Sequence, residues 1–449
     1  MKQLYSWSWV EEQVAQTIVA WKDGAARPWQ GGPIYSLREQ QKRENAYDEG
    51  LRAVEREARK APRTKAQRLE AQQRIVAAFP RFAAIALGLE GETIQLLTNG
   101  FLPIGTQLAR WARRFDATLS MADMIQACRN AWTACGLQPL LGEPLELTPS
   151  ILGYSLLYPY SDNYLDDENV SNAEKLQFSA RFRDRLCGQR LSARNRREAA
   201  VWTMVQLIEE QYPRPRYPQV FECLLAIHRA QELSIAQLNN CGLCEDSDVL
   251  RISCAKGGTS VLADACLSHG WLSEEESRFS FEWGALLQLG DDLQDVREDL
   301  RRGSVTLFSR AAATGQPLDS LAIQLLNFSE RVADRIDRSP NGPKMLKDLL
   351  RMSWRSLILM AVADAQEFFS PAFLAELEHS SPFRFDFLRT RNKRLAGRQG
   401  LYAVLFDAFL ETGEGENEGL PLLADRLESS LGAEAALLPD AIAMSSSCA

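Results

Sequence analysis

Along most of this chain apolar residues return every three or four positions, and no stretch alternates apolar with polar as a half-buried strand would. A spacing of that kind lines up side chains on one face of an α-helix, so the pattern predicts amphipathic helices and no sheet. IQLLTNGFLPIGTQLARWARRF, ADMIQACRNAWTACGL, SNAEKLQFSARFRDRL and NRREAAVWTMVQLIEEQY carry it in the first half. YPQVFECLLAIHRAQELSIAQL, SEEESRFSFEWGALLQLGDDLQDVREDL, LAIQLLNFSERVADRIDR and KMLKDLLRMSWRSLILMAVADAQEFF continue it, and Ser273 with Glu276 reads as a helix-opening capping box. The fold class expected is all-α.

Three regions differ in pattern. Residues 1–79 are rich in Glu, Lys, Arg, Gln and Ala and predict exposed helices whose charges face solvent. Residues 80–410 hold the amphipathic helices and should form the main helical domain. From about Glu411 the composition turns acidic and small, predicting a loosely ordered tail over 411–449.

Composition narrows the partners. Hydrophobic residues at 45% and charged residues at 24% suit a chain with a sizeable core. A net charge of -8 disfavours nucleic acid, whose phosphates need a basic surface. No apolar window reaches about 18 residues, the opening MKQLYSWSWVEEQVAQ does not read as a signal peptide, and the nine cysteines are scattered. The expectation is a cytoplasmic chain with reduced thiols and no transmembrane segment. Cys241 and Cys244 in NNCGLCEDS have metal-like spacing, but a turn beside a helix explains them with fewer assumptions.

Candidate chemistry sits in two acidic runs. YPYSDNYLDDENVS places Asp162, Asp166, Asp167 and Glu168 directly after an apolar, aromatic stretch. LGDDLQDVREDL places Asp291, Asp292, Asp295, Glu298 and Asp299 at the end of another apolar helix. Asp162 and Asp166 are four apart, as are Asp291 and Asp295, so each pair shares a helix face with Cβ atoms roughly 5–6 Å apart. Asp292, Glu298, Asp299 and Asn169 fall on those same broad sides, whereas Asp167 and Glu168 turn away. Carboxylate oxygens without nearby His or Cys suit hard ions, and Mg²⁺ binds through one or two carboxylates plus substrate phosphates. Acids near helix C-termini oppose the helix dipole, which a cation would relieve.

Basic groups accompany the acids. Lys256 precedes Gly257 and Gly258 in SCAKGGTSVLADACL, where the glycine pair signals either a helix break exposing amides or a close backbone approach. Arg301 and Arg302 follow the second acidic run, and Arg229, beside His228, is a further inward candidate. Each also has a plain structural explanation as a turn, a helix cap or a core contact.

With these residues in view, the chain resembles the class I isoprenoid synthases, and within them the bacterial large-terpene synthases of the tetraprenyl-β-curcumene synthase type. SDNYLDDENVS is similar to their first acidic motif, LQLGDDLQDVREDL to their second, and KGGTSVLADACL and QEFFSPAFLAELEHSSPFRFDFLRTR to further stretches. The resemblance covers roughly residues 80–395. It implies a helical bundle around a central apolar pocket, with three Mg²⁺ ions gripping the diphosphate of a linear polyprenyl substrate. Carried over by position, Asp162, Asp166, Asp291, Asp292 and Asp295 are the implied metal ligands, and Lys256, Arg229, Arg301 and Arg302 are candidates for holding the diphosphate. A homodimer is a candidate assembly.

Chemistry of that kind separates charge. A departing diphosphate needs cations, and the allylic cation left behind needs a dry aromatic pocket. Tyr154 and Tyr158 lie eight and four residues before Asp162, as Trp283 and Leu287 do before Asp291, so helical offsets place all four below the acids; core packing is the alternative for each. The second motif is Asp-rich, whereas many terpene cyclases carry an Asn/Ser/Glu triad there. Chain-joining prenyltransferases and squalene-type synthases also use a second acidic motif, and a non-catalytic isoprenoid-binding subunit would retain the fold. The sequence leaves these open.

Overall fold

A computed structural model of the chain describes residues 5–25, 29, 32–60, 62–167, 169–238, 245–398, 400, 403, 406 and 410. The described residues form α-helices, with π-helical turns at 83–87 and 97–101 and no strand among them. The first third holds α1 (Trp7–Ala25), α2 (Leu37–Arg59), α3 (Lys65–Phe82), α4 (Gly91–Leu96), α5 (Leu102–Phe115) and α6 (Met121–Leu140). Next come α7 (Pro149–Tyr160), α8 (Asp162–Asp166), α9 (Asn172–Leu186), α10 (Arg196–Gln211), α11 (Pro218–Leu238), α12 (Asp246–His269) and α13 (Glu274–Gln294). The chain continues through α14 (Val296–Arg302), α15 (Leu307–Ala313), α16 (Asp319–Arg338), α17 (Lys344–Asp364), α18 (Pro371–Glu378) and α19 (Phe385–Ala396). No described helix is long and apolar enough to cross a membrane.

Local chemistry sets many of the boundaries. Reciprocal capping boxes open α2 (Ser36 with Glu39), α3 (Thr64 with Gln67), α6 (Ser120 with Asp123), α9 (Ser171 with Glu174) and α13 (Ser273 with Glu276). Each satisfies two backbone N–H groups that no helical carbonyl can reach. Helix α12 stops at Gly270, whose φ of 88° is the left-handed conformation that favours glycine.

Helix α12 is the axis of the core. Leu262, Ala263, Ala265, Cys266 and Leu267 are fully buried, and α1, α6, α7, α11 and α13 pack around it. The glycine pair explains its tightest contact. A Cβ on Gly257 would lie 2.3 Å from the Gly284 carbonyl oxygen of α13, and one on Gly258 would lie 2.5 Å from the Phe281 ring. The helix runs unbroken through both glycines. Of the two outcomes the sequence allowed, close backbone approach holds, and amides bonded within a continuous buried helix are not free to cradle an anion.

The amino-terminal charge-rich region divides between two environments. Val10, Val14, Ile18 and Trp21 of α1 are buried in the main core. Helix α2 lies against α19, where Tyr47 packs edge-on to Phe383 and Phe387. Its charges are not simply solvated, as expected from composition. The Glu44 side chain, 5% exposed, accepts hydrogen bonds from Arg384, and Glu55, 3% exposed, pairs with Arg394 at 2.7 Å and Arg398 at 2.5 Å. Buried carboxylates need such partners, because desolvation without one is strongly unfavourable.

Candidate active site

Three helix contacts with α12 fix where the two acidic runs lie. Helix α13 runs antiparallel to α12, since Ser253 Oγ donates to Asp292 Oδ2 at 2.7 Å while Gly257 abuts Gly284. Helix α7 is antiparallel too: Ser150 Oγ donates to the Leu267 carbonyl at 2.9 Å and Tyr154 Oη to the Ser260 carbonyl at 3.4 Å. So is α11, with Cys223 beside Cys266 and Gln237 reaching Ser253 at 3.4 Å. Consequently the carboxyl ends of α7, α11 and α13 all lie toward the amino-terminal half of α12. Asp162, bound by Gln231 of α11 at 2.8 Å, sits near the level of Gly258, and Asp291 near that of Ser253. At 1.5 Å rise per residue the two acidic runs differ in height by only roughly 8 Å.

The second run is the better defined. Asp291 lies on the last turn of α13 and its carboxylate Oδ1 meets Arg129 of α6 at 3.4 Å. The Asp291 side chain is 41% exposed, yet its dense surroundings raise its pKa, with Asp295 adding repulsion while Arg129 and Lys256 oppose it. Asp295 ends the helix and is exposed; the Asp295 N–H still donates to the Asp291 carbonyl at 2.8 Å, so the four-residue spacing holds. Although its side chain reaches solvent, the protein packed around its carboxyl raises the pKa, with Glu298 adding repulsion while Arg129 and Arg302 oppose it. Asp292 points elsewhere. It is 5% exposed, and both oxygens are engaged, one by Ser253 and the other by Gln288 at 2.8 Å. Burial pushes it up to about 6. Asp299 is pushed up to about 7 by burial and by the charges of Asp292 and Asp295.

The first run is built differently from a single continuous helix. Helix α7 ends at Tyr160, one residue past Pro159, and Ser161 breaks the path before α8 begins at Asp162. Asp162 therefore stands at the amino end of a short helix rather than at a carboxyl end. Helix α8 stops at Asp166, so Asn169 does not return to the Asp162 face; instead its N–H and amide donate to Asp167 Oδ1 at 2.9 and 3.0 Å. Asp167 is thus held in its own turn. The Asp166 side chain and Glu168 lie outside the described residues.

Below Asp162, Tyr154 is half-buried and Tyr158 likewise. Burial raises the Tyr154 phenol, and the charges of Asp264 and Asp162 add to the effect. Asp264 itself is 1% exposed and accepts from the Asn130 amide at 3.2 Å; burial raises its pKa well above the usual carboxylate range. On α13, Leu287 is half-buried one turn below Asp291. Trp283 is fully packed, its ring 5.1 Å from that of Trp354, and so serves the α13–α17 core contact.

The basic candidates divide as well. Lys256 is half-buried on α12 and acts electrostatically on Asp291 and Asp292. Arg302 pairs with Glu298 at 2.8 Å and influences Asp295, whereas Arg301 also pairs with Glu298 and is exposed. Arg229 is a correction: it is exposed and stacks 4.4 Å above the Trp7 ring of α1, because position 229 faces away from the α11 surface that carries Gln231. Sequence reasoning missed Arg129, although it is the lone basic residue in ADMIQACRNAWTACGL. It also missed Gln231, Ser253 and Gln288, uncharged residues whose roles depend on which helices meet. Cys241 and Cys244 lie outside the described residues.

Among the described residues, no three His, Cys, Asp or Glu side chains converge as a ready-made metal cage. Mg²⁺ does not require one, since it keeps waters and takes substrate phosphate oxygens. Asp291 and Asp295, four residues apart, offer hard oxygen donors of the kind that ion takes, and a cation would relieve the repulsion between them. Two surface concavities lie elsewhere: a groove of about 450 Å³ between α1 and α16, lined by Asp23, Glu330, Arg331 and Arg335 among others, and one of about 310 Å³ beside Glu90, Lys344 and Asp348. Compared with family models, curated proteins and solved structures, the chain matches none.

Proposed function

We propose that the chain is a Mg²⁺-dependent terpene synthase of the class I type, which ionises a linear allylic polyprenyl diphosphate and releases a terpene and diphosphate. The observation that carries this is that Asp162 and Asp291 lie toward the same half of α12, roughly 8 Å apart in height, with Lys256 and Arg129 acting on the second. Magnesium held by Asp291, Asp295, Asp162 and Asp166 would supply the positive charge that stabilises a departing diphosphate. Lys256 and Arg129 draw the anionic end of the substrate to the mouth, and their charges favour the leaving group as its bond lengthens. Tyr154, Tyr158 and Leu287 line the way inward, where ring faces favour a cation and apolar surface excludes water.

The test is incubation of the full chain with C10 to C35 prenyl diphosphates and Mg²⁺, reading released diphosphate and organic products by mass spectrometry. One terpene per diphosphate released, from a single substrate, is expected. Absence of turnover across the panel overturns the proposal, and a product holding two substrates' carbons, or one that requires isopentenyl diphosphate, replaces it with chain joining.

A further inference from the structure

Cys223 of α11 and Cys266 of α12 face each other with their sulfur atoms 2.9 Å apart, and both side chains are fully buried. They are 43 residues apart in sequence and fall in the same antiparallel register that joins Gln237 to Ser253. A disulfide bond is about 2.05 Å long, so the two atoms need to close by only about 0.9 Å. None of the chemistry proposed for the acidic mouth uses them. Cys266 lies thirteen residues along α12 from Ser253, or roughly 20 Å toward the carboxyl end of that helix.

Tyr5 lies beside this pair. Tyr5, just before α1, donates its N–H to Glu222, the neighbour of Cys223, at 3.1 Å, and its hydroxyl meets Ser277 of α13 at 2.7 Å. Burial raises the Tyr5 phenol, and the neighbouring Cys266 and Cys223 add to the effect. Tyr5 is itself 6% exposed.

We propose that Cys223 and Cys266 form an oxidation-dependent cross-link between α11 and α12, and that Tyr5 gates access to it. With hydrogen peroxide as oxidant, one sulfur takes an oxygen atom and water leaves. The second sulfur then displaces that oxygen, also as water, so two thiols and one peroxide become one disulfide and two waters. The thiolate is the attacking form, and burial pushes the Cys223 thiol well up. Reaction in the closed state is therefore slow, and displacement of Tyr5 controls the rate. The inference stands whether or not the acidic mouth ionises a prenyl diphosphate.

The experiment treats the full chain with peroxide under native conditions, then denatures it in acid and alkylates the remaining thiols. Exposed Cys187 reports that oxidant reached the protein. The expected result is joint loss of alkylation at Cys223 and Cys266, a mapped link between their peptides, and loss of that link in Cys223→Ser. Tyr5→Ala should form the same link severalfold faster. Oxidised Cys187 with Cys223 and Cys266 still alkylated, in both wild type and Tyr5→Ala, overturns the cross-link; equal rates in the two proteins overturn the gate.

Discussion

Gly284→Ala tests whether the close crossing of α12 and α13 positions the site. The added Cβ would lie 2.0 Å from the Gly257 carbonyl oxygen, 2.7 Å from its carbonyl carbon and 3.0 Å from the Gly258 Cα. All three are backbone atoms, so no side chain can rotate aside. Non-bonded heavy atoms settle at about 3.5–4.0 Å, so the two helices must separate by roughly 1.5 Å. Overpacking of this kind costs about 1–3 kcal/mol, and rigid backbone on both sides favours the upper end. Alanine returns up to about 1 kcal/mol through its higher helix propensity. A net loss near 2 kcal/mol is expected. Urea unfolding followed by circular dichroism reads it as a lower midpoint at unchanged slope. Gly91→Ala is the control: a Cβ there meets nothing within 4 Å, and its stability should be unchanged or slightly higher. A Gly284→Ala protein as stable as the Gly91→Ala protein would refute the close-crossing account.

Asp291→Ala should lower turnover of the best prenyl diphosphate by two or more decades, while urea stability moves by less than about 1 kcal/mol, because its pair with Arg129 is solvent-exposed. Asp167→Ala, whose carboxylate serves its own turn, should retain near-normal turnover; comparable losses in both would show that the acids were assigned wrongly. Asp264→Asn tests the buried acid. Its folded-state pKa is raised above the unfolded value of about 3.9, so the wild-type carboxyl weakens folding progressively as pH rises from about 4 toward that folded value. Melting curves at pH 4, 6 and 8 should therefore show the variant gaining on wild type as pH rises, and a wild type that gains instead contradicts the neutral-acid assignment. Glu44→Ala removes the acceptor for the Arg384 backbone N–H and guanidinium and should cost about 1–3 kcal/mol in the same urea assay; an unchanged midpoint would mean that the α2–α19 pairing contributes nothing.

Helical class was legible in the sequence because a 3.6-residue apolar period survives without any knowledge of neighbours, as the α13 capping box at Ser273 did. The acidic runs were legible for the same reason, their four-residue spacing being a local property. Tertiary structure decided what each acid does. Asp291 and Asp292 are adjacent in sequence, yet one is partly exposed beside Arg129 and the other is sealed against Ser253 and Gln288, because neighbouring positions on a helix point about 100° apart. The same limit hid the burial of Glu44 and Glu55, which α19 covers from more than three hundred residues away. It also placed Arg229 on Trp7 and brought Arg129 to Asp291. Charge and period fix which face of a helix is polar; only the packing of a distant helix decides whether that face meets water, a partner or a substrate.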